Sequence, residues 1–512
     1  MRNITLISLV TLLFMASGFI QDKNNTDYYP PDSLLVYYRA NQISLLNQKP
    51  LPDTIYSSIN EIKYSITRFD STIDPLISNF EDPYLKDSEN VLTFRGNRFR
   101  NGDFGGKIEG SPSTIVQDWV FKTAYDTRQS NAGQWGGGTG WTGQPLLYDS
   151  IVICTSLCSK AYFLDWETGK MVSNPINVRN PIKGTAMLDP QYPHLLYVGH
   201  GVAAERSWGC MTFNIQTGQQ IQFFKEDSKA WRGWGAYDSS PLRVDKYVFR
   251  PGENGTLYKW YIQNDTILLH STLRYSYKGR SPGIEASMAV YKNYGYTVDN
   301  HGHILCINLN TLQPVWHYYN HDDTDASLVI ELDKDNNSTP YLYSGCEVDK
   351  QGYNGFCYLI KLNAIDGSIV WERKIPCKKI PRGEKFTEGG LFATPLPGKG
   401  NCSDRLYLCC ITNTPAHHGD LMAIDKKTGE IIYKTHLDWY PWMSPISFIN
   451  ENNEEFVVAG DTRGKLYLIN GKTGEIIYKN KVALNFESSP AVRGNSFVLG
   501  SRGTKIYKFH IE

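Results

Sequence analysis

DLMAIDKKTGEIIYK (420–434) and, 45 residues further on, KLYLINGKTGEIIYK (465–479) spell one unit twice. Each reads as a strand, a tight Asp/Asn–Thr–Gly turn and a second strand. Looser copies lie upstream in AYFLDWETGKMV (161–172), CMTFNIQTGQQI (210–221), ILCINLNTLQPVW (304–316) and YLIKLNAIDGSIVW (358–371). Self-similarity at this period marks a radial or linear array of supersecondary units. Gly169, Gly218, Gly367, Gly429 and Gly474 fall where the turn needs a positive φ, which glycine adopts at little cost. The flanks alternate apolar and polar or run apolar, as half-buried and buried strands do.

A small or Ser/Pro-rich lead-in and a short apolar strand precede each hairpin. They read GQPLLY (143–148), SSPLRV (239–244), EASMAV (285–290), DASLVI (325–330), ATPLPG (393–398), MSPISF (443–448) and SSPAV (488–492), with GTAML (184–188) a weaker copy. Small residues suit strands that crowd toward an axis. Lead-ins and hairpins together make eight units from Gly143 to the C-terminus. The expected fold is all-β, an eight-bladed propeller of four-stranded blades, with seven blades the alternative count. The last unit stops before its outer strand, and an open edge invites aggregation. STIVQDWVFKT (113–123) fits that edge, with Trp119 placed as Trp316 and Trp371 are in their repeats. The ring would then close by an N-terminal strand.

These hairpins and Ser-Ser-Pro lead-ins resemble pyrroloquinoline-quinone-like (PQQ-like) propeller repeats. The leader LTFRGNRFRNGDFGG (92–106) is similar to the segment that often opens such rings. The resemblance spans about residues 90–512 and implies the fold rather than the activity. It covers quinoprotein dehydrogenases that use PQQ and Ca²⁺, and also cofactor-free propellers such as the scaffold lipoprotein of bacterial outer-membrane barrel assembly.

Composition narrows the function classes. Among 512 residues, Lys plus Arg and Asp plus Glu number 52 each, and no basic block occurs. Nucleic acid is therefore not an expected partner, since phosphate binding needs clustered positive charge. Residues 4–20 form an apolar run behind Arg2, read as a secretory signal (1–18) cleaved near Gly18. An uncleaved anchor is the competing reading and the only route to membrane association. The expected location is extracytoplasmic, periplasmic or secreted. Residues 19–90 read as a polar extension and 91–512 as the propeller. Within the extension, 33–46 and 58–66 are candidate short helices or strands that tether the ring or pack along its outside.

Ten cysteines in an exported chain point to oxidising surroundings and disulfides. Cys346 and Cys357 flank one hairpin, Cys154 and Cys158 another, and Cys377 and Cys402 bracket a lead-in loop. Adjacent Cys409 and Cys410 would match the adjacent-cysteine disulfide that the resemblance implies for quinoprotein alcohol dehydrogenases. They lie, however, in RLYLCCIT (405–412), an apolar strand whose neighbours point to opposite faces. They read as packed free thiols.

Trp/Gly-rich loops hold the candidate ligand-binding residues Trp135, Trp141, Trp208, Trp231, Trp234 and Asp238. Flat rings beside glycine backbone can stack a quinone or a sugar, or plug the ring. Asp333, Asp335 and Asn337 supply alternate oxygens of the kind a hard cation takes, in a loop without the central glycine. HDDTDAS (321–327) sets Asp322, Asp323 and Asp325 before a lead-in strand, where they read as an exposed acidic loop or as carboxylates facing the axial opening to take a cation or polar ligand. His301 with His303, and His417 with His418, lack zinc-site spacing. No G-x-S-x-G, P-loop or zincin motif is present. The leading expectation is a non-catalytic binding or assembly scaffold, without a cofactor, for a protein partner or glycan. The alternatives are a PQQ/Ca²⁺-dependent oxidoreductase acting on an alcohol or sugar, and a carbohydrate-binding propeller.

Overall fold

The computed structural model describes residues 49–512 except 88, 206, 334, 335, 383 and 384. The signal reading and the stretch 33–46 lie outside the described residues. Eight antiparallel sheets carry the ring, and each begins at a short inner strand. In chain order the inner strands are Leu146–Tyr148, Met187–Leu188, Leu242–Val244, Ala289–Tyr291, Val329–Asp333, Leu396–Pro397, Ile446–Ile449 and Ala491–Arg493. The count of eight is correct and seven is not.

The repeated turn follows from its side chains. Asp165 Oδ1 accepts from the Thr168 amide and hydroxyl, while Gly169 at φ 65° donates its amide to the Asp165 carbonyl. Asp425, Thr428 and Gly429 repeat the bonds. The glycine has a second duty. A Cβ on Gly367 would lie 2.7 Å from the Trp316 indole, and one on Gly429 2.7 Å from Trp371. Each indole lies flat on the turn of the following blade and donates to a turn carbonyl: Trp316 to Ala364 at 3.1 Å, Trp371 to Lys426 at 3.0 Å. Tyr433 does the same with its hydroxyl, to Gly471 at 2.9 Å.

The eighth blade is completed by Ile115–Lys122, which pairs antiparallel with Lys505–Ile511. Closure by an N-terminal strand holds as expected. The extension supplies one further strand: Ile62–Arg68 pairs with Thr266–Tyr277 and gives the third blade a fifth strand. Residues 58–66 thus pack along the outside of the ring.

Because neighbouring strands are antiparallel, first-to-second and third-to-fourth connections share one end of the ring. The other connections share the opposite end. Residues 91–108 seal the first end, where Leu92, Arg98 and Phe99 accept backbone bonds from Leu188, Val290 and Ile330. Arg100, fully buried, donates to the carbonyls of Met288 and Phe94 and to the Thr93 hydroxyl.

Candidate functional site at the open axial end

The second residue before each inner strand is Ser or Thr, except for Gln144 in the first blade, and five of them form a chain around the axis. The amides of Ser240, Ser287, Ser327 and Thr394 donate in turn to the hydroxyls of Ser287, Ser327, Thr394 and Ser444, at 2.8, 2.8, 3.3 and 3.0 Å. The Ser/Thr lead-ins are therefore inter-blade latches as well as small spacers.

Two residues earlier stand Thr142, Lys183, Asp238, Glu285, Asp325, Phe392, Trp442 and Glu487, of which Thr142, Glu285, Asp325, Phe392 and Trp442 line one cavity at the axial mouth. Phe392 stacks on Trp442 at 5.2 Å and meets Trp141 edge-on at 6.2 Å. The cavity that Trp141, Phe392, Trp442, Glu285 and Asp325 help to line is only ≈ 10 Å³. That is about the room of one water molecule.

Acidic groups dominate one side of this mouth. Asp238, Glu253 and Glu285 bring carboxylate oxygens within 4.8 Å of one another, and so do Asp323, Asp325 and Glu347. These trios carry the oxygen donors a hard cation such as Ca²⁺ takes. Lys183 pairs with Asp238, and Lys350 with Asp323 at 3.2 Å. Burial pushes Asp323 up to about 8, and Asp238 up to about 6 despite its lysine partner. Burial and the neighbouring carboxylates, Glu285 among them, also raise Glu253 and Asp325. Asp322, from the same HDDTDAS stretch, is a brace instead: its carboxylate accepts amides of Asp323, Asp349 and Lys350.

The tryptophans named from the sequence share this end but do not form one platform. Trp208 and Trp234 pack on each other at 5.3 Å, and the Trp234 indole donates to Glu253 at 2.6 Å. Trp135 lies between the cations of Lys183 and Arg502. Trp231 is exposed. Asp238 belongs to the acidic mouth. The cation reading of the 333–337 loop needs Asp335, which lies outside the described residues; Asp333 ends an inner strand at the sealed end. Exposed Asn337 sits in the turn that follows.

The cysteine pairs read along the chain also differ. All ten thiols are free and buried. Cys158 contacts Ser156 and Tyr162, Cys402 contacts Asn401, and Cys377 faces Cys410 of the next blade. Cys409 and Cys410 enter two different apolar clusters, as strand alternation requires.

Sequence reasoning missed Lys183, Glu253, Glu285, Glu347, Phe392 and Trp442. For Glu285, Phe392 and Trp442 the signal was present, since each stands two residues before a lead-in Ser or Thr and lines the axial cavity. Glu253 and Glu347 carry no such mark, because they come from second-to-third strand connections.

A planar tricarboxylate quinone, which the PQQ-like resemblance raises, does not fit this end as built. Aromatic side chains fill the axis and leave a cavity of only ≈ 10 Å³, so the cofactor meets crowding.

No family model matches the sequence, and no curated protein matches it. Solved structures do. A europium-containing methanol dehydrogenase aligns over 83% of this chain and 98% of its own, with TM-score 0.58 and 12% identity. A quinohemoprotein alcohol dehydrogenase from Comamonas testosteroni aligns over 82% and 80%, with TM-score 0.58 and 12% identity. BamB from Moraxella catarrhalis aligns over 78% and 100%, with TM-score 0.52 and 14% identity. Likeness at this identity concerns the fold, which hosts both dehydrogenases and BamB. The chain is an eight-bladed β-propeller of the PQQ-like fold.

Proposed function

We propose that this propeller is a non-catalytic, exported binding scaffold whose acidic axial mouth receives positively charged groups of a protein partner. The observation that carries the reading is the mouth itself: a cavity of ≈ 10 Å³ whose lining includes Glu285 and Asp325. Catalysis on a bound cofactor needs a pocket that buries the ligand, usually hundreds of Å³. A rigid rim of charge needs none, and complementary charge steers a partner and fixes its orientation. Export rests on the apolar run at 4–20.

Calorimetric titration of PQQ with Ca²⁺ into the purified chain tests the reading. The expected result is no stoichiometric heat, and one-to-one binding would overturn it in favour of the oxidoreductase. A crosslinked pull-down should then retain a partner that the Glu285→Lys variant loses.

A further inference from the structure

Three cysteine thiols from two blades meet in one apolar cluster. Cys357 and Cys377 lie on the neighbouring strands Asn354–Asn363 and Ile369–Lys378 of the fifth blade. Their cross-strand partners are Ile375 and Gly355, so they lie diagonally on one face. Cys410 ends the strand Arg405–Cys410 of the sixth blade. Its Sγ lies 3.6 Å from that of Cys377, and Cys357 belongs to the same apolar cluster. The Lys378 amide donates to the Thr412 carbonyl at 3.2 Å, which holds the two backbones side by side at this level. Among the described residues these thiols do not draw together as a metal-sized trio, whereas the carboxylates do.

A surface pocket of ≈ 190 Å³ reaches the cluster and is lined by Asn354, Phe356, Pro376, Cys377, Lys378 and Thr414. Cys377 is 2% exposed, and Cys357 and Cys410 are fully buried.

We propose that Cys377 and Cys410 are a disulfide site that staples the fifth blade to the sixth, with Cys377 as the point of attack. The oxidant is a disulfide, either a small molecule or that of a dithiol oxidoreductase. Cys377 gives up its proton, and its thiolate attacks one oxidant sulfur. A mixed disulfide forms, the oxidant S–S bond breaks, and the first oxidant thiol leaves with a proton. Cys410, deprotonated in turn, attacks Cys377 Sγ and releases the second oxidant thiol. Two cysteine thiols are oxidised by two electrons, and one disulfide is reduced to two thiols. The sulfurs must close from 3.6 Å to bonding distance, about 2.05 Å. The hydrogen bond with Cys410, and then burial, hold the Cys377 thiol well above its ordinary pKa, so exchange in the folded ring is slow and accelerates with pH.

The test is non-reducing peptide mapping of the full chain after incubation with oxidised dithiothreitol or glutathione disulfide. One sample is oxidised folded, and a second during refolding from the reduced, unfolded state. The expected product is a Cys377–Cys410 crosslink with the other eight of the ten cysteines still free. Cys357→Ser should leave this crosslink intact, and Cys410→Ser should abolish it. The oxidised chain should melt at a higher temperature than the reduced one, and Cys377→Ser should remove that difference. Ten free thiols in both samples, or a dominant link between Cys346 and Cys357, would overturn the proposal.

Discussion

The indole N–H of Trp119 donates to the carbonyl oxygen of Trp166 at 2.9 Å. This bond ties the strand that arrives before the ring to the first blade. A Cβ on Gly169 would lie 2.5 Å from the same indole. The contact thus repeats between the eighth and first blades the docking that Trp316 and Trp371 make elsewhere. The seam is joined by the chemistry that joins ordinary neighbours, although its strand comes from the other end of the chain.

Trp316→Ala should cost about 3–5 kcal/mol, the usual range for a buried tryptophan, read as a lowered urea midpoint. Gly367→Ala should also destabilise, because φ is 73° and the new methyl would press on the indole. The double variant should lose less than the sum of the two, since removing the indole removes the clash. Strict additivity would disprove the docking account.

Arg100→Leu should destabilise by at least about 3 kcal/mol, because charged hydrogen bonds to buried acceptors are worth about 1.5–3 kcal/mol each. The leucine strands the carbonyls of Met288 and Phe94. Loss should appear as faster proteolysis within 91–108. A wild-type digestion pattern and midpoint would show that the plug holds without this cation.

Ser287→Ala should cost about 1–2 kcal/mol by leaving the buried Ser240 amide without its acceptor. Hydrogen exchange at the Ser240 amide should speed up. Unchanged protection there would count against the latch.

The acidic mouth makes stability pH-dependent with a defined sign. An ordinary aspartate titrates near about 4, and Asp323 is pushed up to about 8. Between those values the folded state binds the extra proton, so this contribution to stability falls as pH rises. Buried His200 and His303, lowered to about 4 and about 3, pull the opposite way below about 6.5. The difference between Glu285→Gln and the parent isolates the mouth. The variant's melting temperature should gain on the parent as pH goes from about 5 to about 8. A gap that stays constant or narrows would refute the coupling.

Much of the ring was legible because its signals are local. Asp425, Thr428 and Gly429 make one turn within five residues, and the spacing of its copies counts the blades. Even the closing strand was readable, since Trp119 stands at the same place in its strand as Trp316. The mouth was half legible. Asp238 and Asp325 were singled out, whereas Phe392 and Trp442, each one residue ahead of its lead-in, went unmarked. A ligand-like spacing such as that of Asp333 says nothing of which end of the ring its loop occupies.

The sequence by itself determined the period, the turn, the strand count and the closure. Each depends on contacts within a repeat or on a pattern that every repeat obeys. Only the tertiary structure decided which side chains meet across blades. Cys377 faces Cys410 rather than Cys402, and Glu285 joins Asp238 on one side with Asp325 close by on the other. Such neighbours are set by the rotation from blade to blade around the axis, and no spacing along the chain encodes that rotation directly.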